Sequence, residues 1–340
     1  YGLSNSGQSG GIAGADIGAT KAWEVSTGSK KALVGIIDSG MDYTHLDLAD
    51  NVWSNPGETG LDAQGNDKRT NGIDDDNNGF VDDWHGWDFF NNDNDPMDDN
   101  SHGTHVAGTI GGIGNNTTGV VGVNWTVSMV PIKVFSGGGA TTTDILVKGV
   151  DYATKLGVFV TNNSWGGGGF SDAIFGAIQN ASAANILFVA AAGNESDNND
   201  VGEHYPSNYD LPNIISVAAI NRKDQVSSFS NYGAKTVDVA APGEEIYSTL
   251  PKGTYGSKSG TSMATPHVTG AIALIRSQFP DIPSLEVKEK LLSSSVQTPA
   301  LNAKTIHGRI NVGNALEQDI RPPAIVSGLG ILATDLNSAS

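Results

Sequence analysis

The chain has 340 residues, enough for one large α/β domain or two average ones around a substantial core. Its formal net charge of −18 argues against a nucleic-acid partner, because phosphate binding needs a surplus of Lys and Arg. Cysteine is absent, which removes disulfides, thiolate catalysis and cysteine-type zinc sites.

Abundant glycine and a charged fraction of only 16 % suit a compact, loop-rich enzyme rather than a coiled coil or a disordered tail. No apolar run approaches the ~18 residues that a membrane-spanning helix requires. The chain opens at Tyr1 with neither an initiating Met nor a signal-peptide pattern, and it reads as a processed mature form.

Residues 1–19 are polar and rich in Gly and Ser, which predicts an extended surface arm, followed by a short helix over 20–25. Residues 32–37 form a continuous apolar run that ends in Asp38-Ser39-Gly40. Such a run reads as a buried parallel strand with an aspartate at its carboxyl end, where ligands gather in open α/β sheets. Taken alone, Asp38 is equally well a turn residue ahead of Gly40.

Residues 50–101 have almost no hydrophobic period and are full of Asp, Asn and Gly. Asp74, Asp76 and Asn78, followed by Gly79, place side-chain oxygens at positions 1, 3 and 5 ahead of a tight bend, as a loop wrapping one hard cation does. Position 12 of a full calcium loop would hold an acid but here holds His85, so Asp82 or Asp83 has to close a shortened loop. A second cluster, Asp88, Asn91, Asp93 and Asp95, carries too many close oxygens to be left unneutralised. A disordered acidic loop is the competing reading. The interleaved Trp84, Trp87, Phe89 and Phe90 argue against it and in favour of Ca2+.

Residues 101–109 open the next helix, with His102 at its mouth. His105 lacks the intervening Glu and the third ligand of a zinc helix, and reads as structural. Strand material follows at 120–123 and 128–135, a helix at 143–156, a strand at 158–164, a helix at 172–184 and a buried strand at 186–192. Further strands are predicted at 214–220 and 237–240, and an amphipathic helix at 285–293. Strands alternating with helices on short links indicate a mostly parallel central sheet with helices on both faces. Residues 321–340 lose this pattern and read as a linker or extension.

The stretch 259–267, Ser-Gly-Thr-Ser-Met-Ala-Thr-Pro-His, delivers Ser262 to the first turn of an apolar helix predicted over 263–279. Free N–H groups and a partial positive charge at that mouth favour an alkoxide or oxyanion beside Ser262. A lone serine there would be an N-cap. Asp38 and His102 change the weighing, since a nucleophilic serine needs a base and the base needs a carboxylate to orient it. Asp, His, Ser is one of the chain orders in which this triad occurs.

Four segments resemble the signatures of the subtilisin-like serine proteases, or subtilases: Asp38-Ser39-Gly40, the run from His102 to Gly108, Ala191-Ala192-Gly193-Asn194, and the run from Gly260 to His267. The resemblance covers about residues 20–318, within an expected catalytic domain of 20–320. It implies the three-layer α/β fold of that family and a serine endopeptidase that hydrolyses peptide bonds of proteins through an acyl-enzyme on Ser262. Asp38 would orient His102, His102 would act as general base and then acid, and Asn194 would donate its side-chain amide to an oxyanion hole with the Ser262 N–H.

By the same likeness, extended substrate lies between two backbone edges, Ser136-Gly137-Gly138 and Ser164-Trp165-Gly166. The first specificity pocket, for the P1 side chain, is walled by Ser164, Trp165, Gly166 and Gly167 on one side and Ala191 to Gly193 on the other. Small walls imply broad specificity with large apolar P1 residues preferred. His204, or else Glu203, replaces the small floor residue of many relatives and reduces tolerance for the largest rings if it points inward. Asp88, Asn91, Asp93 and Asp95 resemble a calcium loop of the thermitase branch, and Asp47 with Asn115 resembles the family's tight calcium site. The resemblance also implies a secreted bacterial protein made with an inhibitory prodomain, acting as a monomer on protein or peptide substrates. The competing classes are a serine esterase, whose Gly-x-Ser-x-Gly and acid-after-serine order are missing, and a catalytically silent, calcium-binding adhesive module.

Overall fold

A computed structural model describes residues 1–317; the linker expected over 321–340 lies outside the described residues. Residues 1–18 are pinned against the body rather than extended from it. Ala15 and Ile17 are buried, the Asn5 amide donates to the Ala15 and Arg222 carbonyls, and Arg309 Nη1 donates to the carbonyls of Gly14 and Asp16. They lead into α1 (Ala19–Ala22), a single turn.

The elements that build the body then follow in order: β1 (Gly28–Asp38), β2 (Trp87–Asp88), α2 (His102–Gly111), β3 (Thr126–Lys133), α3 (Thr143–Leu156), β4 (Val160–Asn163), α4 (Asp172–Ala183), β5 (Leu187–Ala191), β6 (Ile214–Ile220) and β7 (Val239–Pro242). The seven strands make one all-parallel sheet in the order β2-β3-β1-β4-β5-β6-β7. Ala32, Val34 and Ile36 of β1 enter a core shared with α2 and with α5 (Thr261–Gln278), whereas Ile37 enters a second core with α3 and α4 on the opposite face. Period-two alternation of apolar residues with both faces covered is why the strand reads as an unbroken apolar run. Two further helices, α6 (Ser284–Ser293) and α7 (Val312–Glu317), extend the first of these cores.

Residues 120–123 form no strand. They pack along the end of α2, with the N–H of Gly122 bonded to Gly112 O and that of Val123 to Thr109 O. An antiparallel hairpin, β8 (Ile246–Leu250) and β9 (Thr254–Lys258), was not predicted. It is polar, and α2 holds it: Ser248 Oγ donates to His105 O, Thr249 Oγ1 to Thr104 O, and His105 Nε2 to Ile246 O at 2.9 Å.

Strand β1 sits where the chain order reverses, between β3 and β4. The carboxyl ends of these three strands deliver Asp38, the segment from Ser136 and Ser164 to one edge of the sheet, the crevice in which open α/β sheets place their ligands.

Candidate active site and metal-binding loops

Asp38 is buried at the end of β1, and its Oδ1 accepts the His102 Nδ1–H at 2.7 Å. A carboxylate can only accept, so the proton resides on Nδ1 and the neutral imidazole keeps its lone pair on Nε2. Gly103 allows this approach: a methyl group on it would lie 2.0 Å from Gly40 O. Buried Asp98 braces both partners. Its carboxylate accepts from Ser39 Oγ at 2.9 Å, from the N–H groups of Asn100, Ser101 and Thr104, and from Thr104 Oγ1 at 2.6 Å. Lys133, opposite Asp38 in register, donates to Ser39 O and Asp99. Burial alone would push the His102 imidazole down; the Asp38 charge and hydrogen bond, helped by Asp98 and opposed by Lys258, hold it above the ordinary histidine range.

Ser262 is the second residue of α5, which starts earlier than the 263 expected. Pro266 lies within this helix and has no N–H for the Ser262 carbonyl. That freed carbonyl accepts Ser164 Oγ at 2.9 Å, while Ser262 Oγ donates to Ser164 O at 3.1 Å. Lys258 Nζ donates to Ser101 Oγ at 3.0 Å, tying the approach to Ser262 to the residue before His102. Asn194 Oδ1 accepts from the Thr261 N–H at 2.8 Å and Oγ1 at 3.0 Å. This fixes the amide by its oxygen and leaves its NH2 without a protein partner among the described residues.

Ser136, Gly137 and Gly138 form a tight turn closed by the Ser136 N–H to Ala140 O, and the Asn100 amide donates to Gly137 O. Trp165 packs edge-on against Phe188. Beside it a small apolar cleft is lined by Leu146, Trp165, Gly166, Ile174, Tyr205 and Tyr209. Gly167 donates to Tyr205 O. Ala191 and Ala192 are buried, and Gly193 adopts φ 115° with no room for a side chain. His204 lies between the two glycine walls: a methyl on Gly166 would meet its Cε1 at 2.4 Å, and one on Gly193 its Cδ2 at 2.8 Å. Glu195 Oε2 stands 3.7 Å from His204 Nε2. Burial pushes the His204 imidazole down, against the pull of Glu195.

The acidic residues separate into three groups. Asp47 is fully buried and accepts from Asn116 Nδ2 at 2.6 Å and the Val120 N–H at 2.7 Å. Asn115, expected beside it, is exposed with φ 60°, so its neighbour Asn116 takes that place. Asp88 accepts from the N–H groups of Phe90 and Asn91 and from the Asn91 amide, and Asp93 and Asp95 each cap a backbone N–H. No three carboxylates of this loop gather to ion-sharing distance among the described residues. Asp74 and Asp76 do gather, joined by Glu58, which sequence reasoning missed. Asp82 instead accepts from the Gly72 N–H. Asp83 is engaged by Asn55, Asn78 and Tyr152, and burial pushes its carboxyl up to about 6. Asp98, Lys258 and Glu195 were also missed; of these only Asp98, an acid just ahead of a helix, carried a local signal.

The chain belongs to the subtilase family, whose model matches residues 29–313. Thermitase of Thermoactinomyces vulgaris is 37 % identical over 262 residues, 77 % of this chain and 80 % of thermitase. Subtilisin DY of Bacillus licheniformis is 44 % identical over 201 residues, 58 % of this chain and 71 % of that protein. The crystal structure of a cold-adapted subtilisin-like serine proteinase superposes with a TM-score of 0.62 at 31 % identity, covering 83 % of this chain and 88 % of the other. The protein is a serine endopeptidase of the subtilisin type with the parallel α/β sheet of that family. Among the described residues no helix is long and apolar enough to cross a membrane.

Proposed function

We propose that Ser262 is the nucleophile, with His102 as its base, Asp38 as the group that orients His102, and Asn194 with the Ser262 N–H as the oxyanion hole. The observation that carries this reading is the 2.7 Å bond from His102 Nδ1 to Asp38, which leaves Nε2 as the free base. Ser262 Oγ attacks the scissile carbonyl as Nε2 takes its proton. The oxyanion is met by the Asn194 amide and the α5 mouth. His102 returns the proton to the leaving amine, and water then cleaves the acyl-enzyme by the same route.

Substrate runs extended between the Ser136–Gly138 turn and the segment starting at Ser164. With His204 between the pocket walls, P1 side chains such as Leu and Met fit better than Phe or Tyr. Calcium bound by the acidic loops stabilises the fold by mass action, about 2.7 kcal/mol per site at a hundredfold excess over Kd. The protein is read as secreted, synthesised with an inhibitory prodomain and active as a monomer. The donor set fits calcium: the gathered carboxylates of Glu58, Asp74 and Asp76 lie in irregular loops, with no histidine or cysteine among them.

Hydrolysis of casein and of Leu-P1 peptides by the intact chain, and by Ser262→Ala and His102→Ala, tests the reading. Activity in the parent and its loss in both variants is expected; undiminished hydrolysis by Ser262→Ala contradicts it.

A further inference from the structure

The two residues ahead of His102 are tied to different elements. The Asn100 amide donates to Gly137 O at 2.8 Å, in the turn proposed to bind the acyl side of a substrate. Asp99 stands at the same turn, where a methyl on Gly137 would lie 3.0 Å from its Cγ, and the buried Lys133 pairs with its carboxylate at 2.6 Å. Ser101 is held instead from the β8–β9 hairpin: its Oγ accepts from the Lys258 ammonium at 3.0 Å. Lys258 ends β9, four residues before Ser262. It contributes to neither of the two edges between which the acyl side of a substrate is proposed to lie.

An ammonium carries three donors, and Ser101 occupies one of them. Lys258 is half-buried, and among the described residues it forms no ion pair. The chain holds 37 Asp and Glu against 19 Lys and Arg, so this ammonium goes unpaired in spite of abundant carboxylates. The acids around His102 are committed elsewhere: Asp38 to the imidazole, Asp98 to Ser39 and Thr104, and Asp99 to Lys133. Lys258 nevertheless lies close enough to His102 for its charge to oppose a proton on that ring. An unpaired cation beside the reacting groups is placed to recognise an anion that arrives with the substrate.

We propose that Lys258 Nζ binds a carboxylate side chain on the leaving-group part of the substrate, so that the protein favours Asp or Glu at P1′ or P2′, the first two residues after the scissile bond. A substrate whose acyl side occupies the two edges passes Ser262 and continues beyond them, where the hairpin end with Lys258 flanks Ser262 and His102. The pairing acts twice. Attraction draws the acidic peptide to the cleft, and a carboxylate against Lys258 offsets the ammonium that opposes the positive charge His102 acquires as it takes the Ser262 proton. The inference rests on the proposed triad, and its test separates the two.

The test uses the full chain and peptides with Leu at P1 and Asp, Asn or Lys at P1′ or P2′. Their C-termini are amidated, so that the varied side chain is the only source of charge on the leaving group. In the parent, kcat/KM is expected to be about fivefold higher for Asp than for Asn at the favoured position, with Lys the poorest. The ratio should shrink toward one in about 1 M salt, which screens the pair. Lys258→Gln should bring the ratio of Asp to Asn to about one, and Lys258→Glu should reverse the order of Asp and Lys. Lys258→Arg should keep the preference for Asp, which shows that charge is being read and not the integrity of the fold. A parent that cleaves Asp and Asn peptides equally, or a preference for Asp that survives in Lys258→Gln, overturns the inference and leaves the triad standing. So does a Lys258→Gln chain in which all three peptides slow or quicken by the same factor, since that confines Lys258 to tuning His102. A parent that cleaves no peptide overturns the hydrolytic reading and the inference with it.

Discussion

Ser262 and Ser164 exchange hydrogen bonds in both directions: each hydroxyl donates to the other's backbone carbonyl, at 3.1 Å and 2.9 Å. Half of the exchange exists because Pro266 has no N–H to offer the Ser262 carbonyl, which is left to accept from Ser164. A proline inside a helix, ordinarily a defect, here latches the mouth of α5 to the end of β4. That latch sets the proposed nucleophile beside the backbone edge along which substrate is proposed to lie.

Asn194 is held by its oxygen on Thr261, leaving its NH2 to meet a developing oxyanion. On the proposed role, Asn194→Leu removes one donor that acts mainly in the transition state. Loss of such a donor in subtilisin costs about 10²–10³ in kcat, and a similar fall with little change in KM is expected here. Steady-state kinetics on a Leu-P1 peptide would show it; an equal rise in KM at constant kcat would assign Asn194 to ground-state binding instead.

His204 stands between Gly166 and Gly193, the walls of the proposed P1 pocket. His204→Gly is expected to raise kcat/KM for Phe-P1 relative to Leu-P1 peptides by about tenfold or more. An unchanged ratio would place the imidazole outside the P1 pocket.

The proposed base must be neutral to act, and Asp38 holds His102 above the ordinary histidine range. The acid limb of kcat/KM is therefore expected at a pH above that of an unperturbed histidine, with activity rising as pH rises through it. Lys258 opposes the shift and Asp98 supports it. Lys258→Ala should move the limb further up, and Asp98→Asn should move it down. Shifts in the opposite senses would show that the limb reports another group.

His105 and His267 are buried as neutral rings, with burial pushing each down to about 4. Between pH 6.5 and 4 the unfolded chain binds protons that the folded chain does not, so stability falls as pH falls through that window. Each ring accounts for about 3 kcal/mol over the whole interval. Thermal melts should show Tm declining over this range, and the decline should lessen in His105→Gln. A Tm flat from pH 6.5 to 4 would contradict the burial of neutral imidazoles.

Much of this architecture is legible in the residues because periodicity reports burial. The predicted boundaries of α3 and β6 match those observed, at Thr143–Leu156 and Ile214–Ile220. The β8–β9 hairpin was invisible, since its polar strands are fixed by bonds to α2 rather than by an apolar pattern of their own. Asn115 and Asn116 are chemically identical neighbours, and only the left-handed turn at Asn115 decides which one faces Asp47. Glu58 lies outside the spacing of any loop motif and joins Asp74 and Asp76 only when the chain folds. The triad candidates were readable because each stands at a strand end or helix mouth beside glycine.

The most direct measurement is covalent labelling of the intact chain with a fluorophosphonate, followed by mass spectrometry of its peptides. The account predicts a single adduct on Ser262, formed rapidly in the parent and slowed by orders of magnitude in His102→Ala. An unlabelled Ser262 in active protein, or labelling that proceeds equally fast without His102, would contradict it.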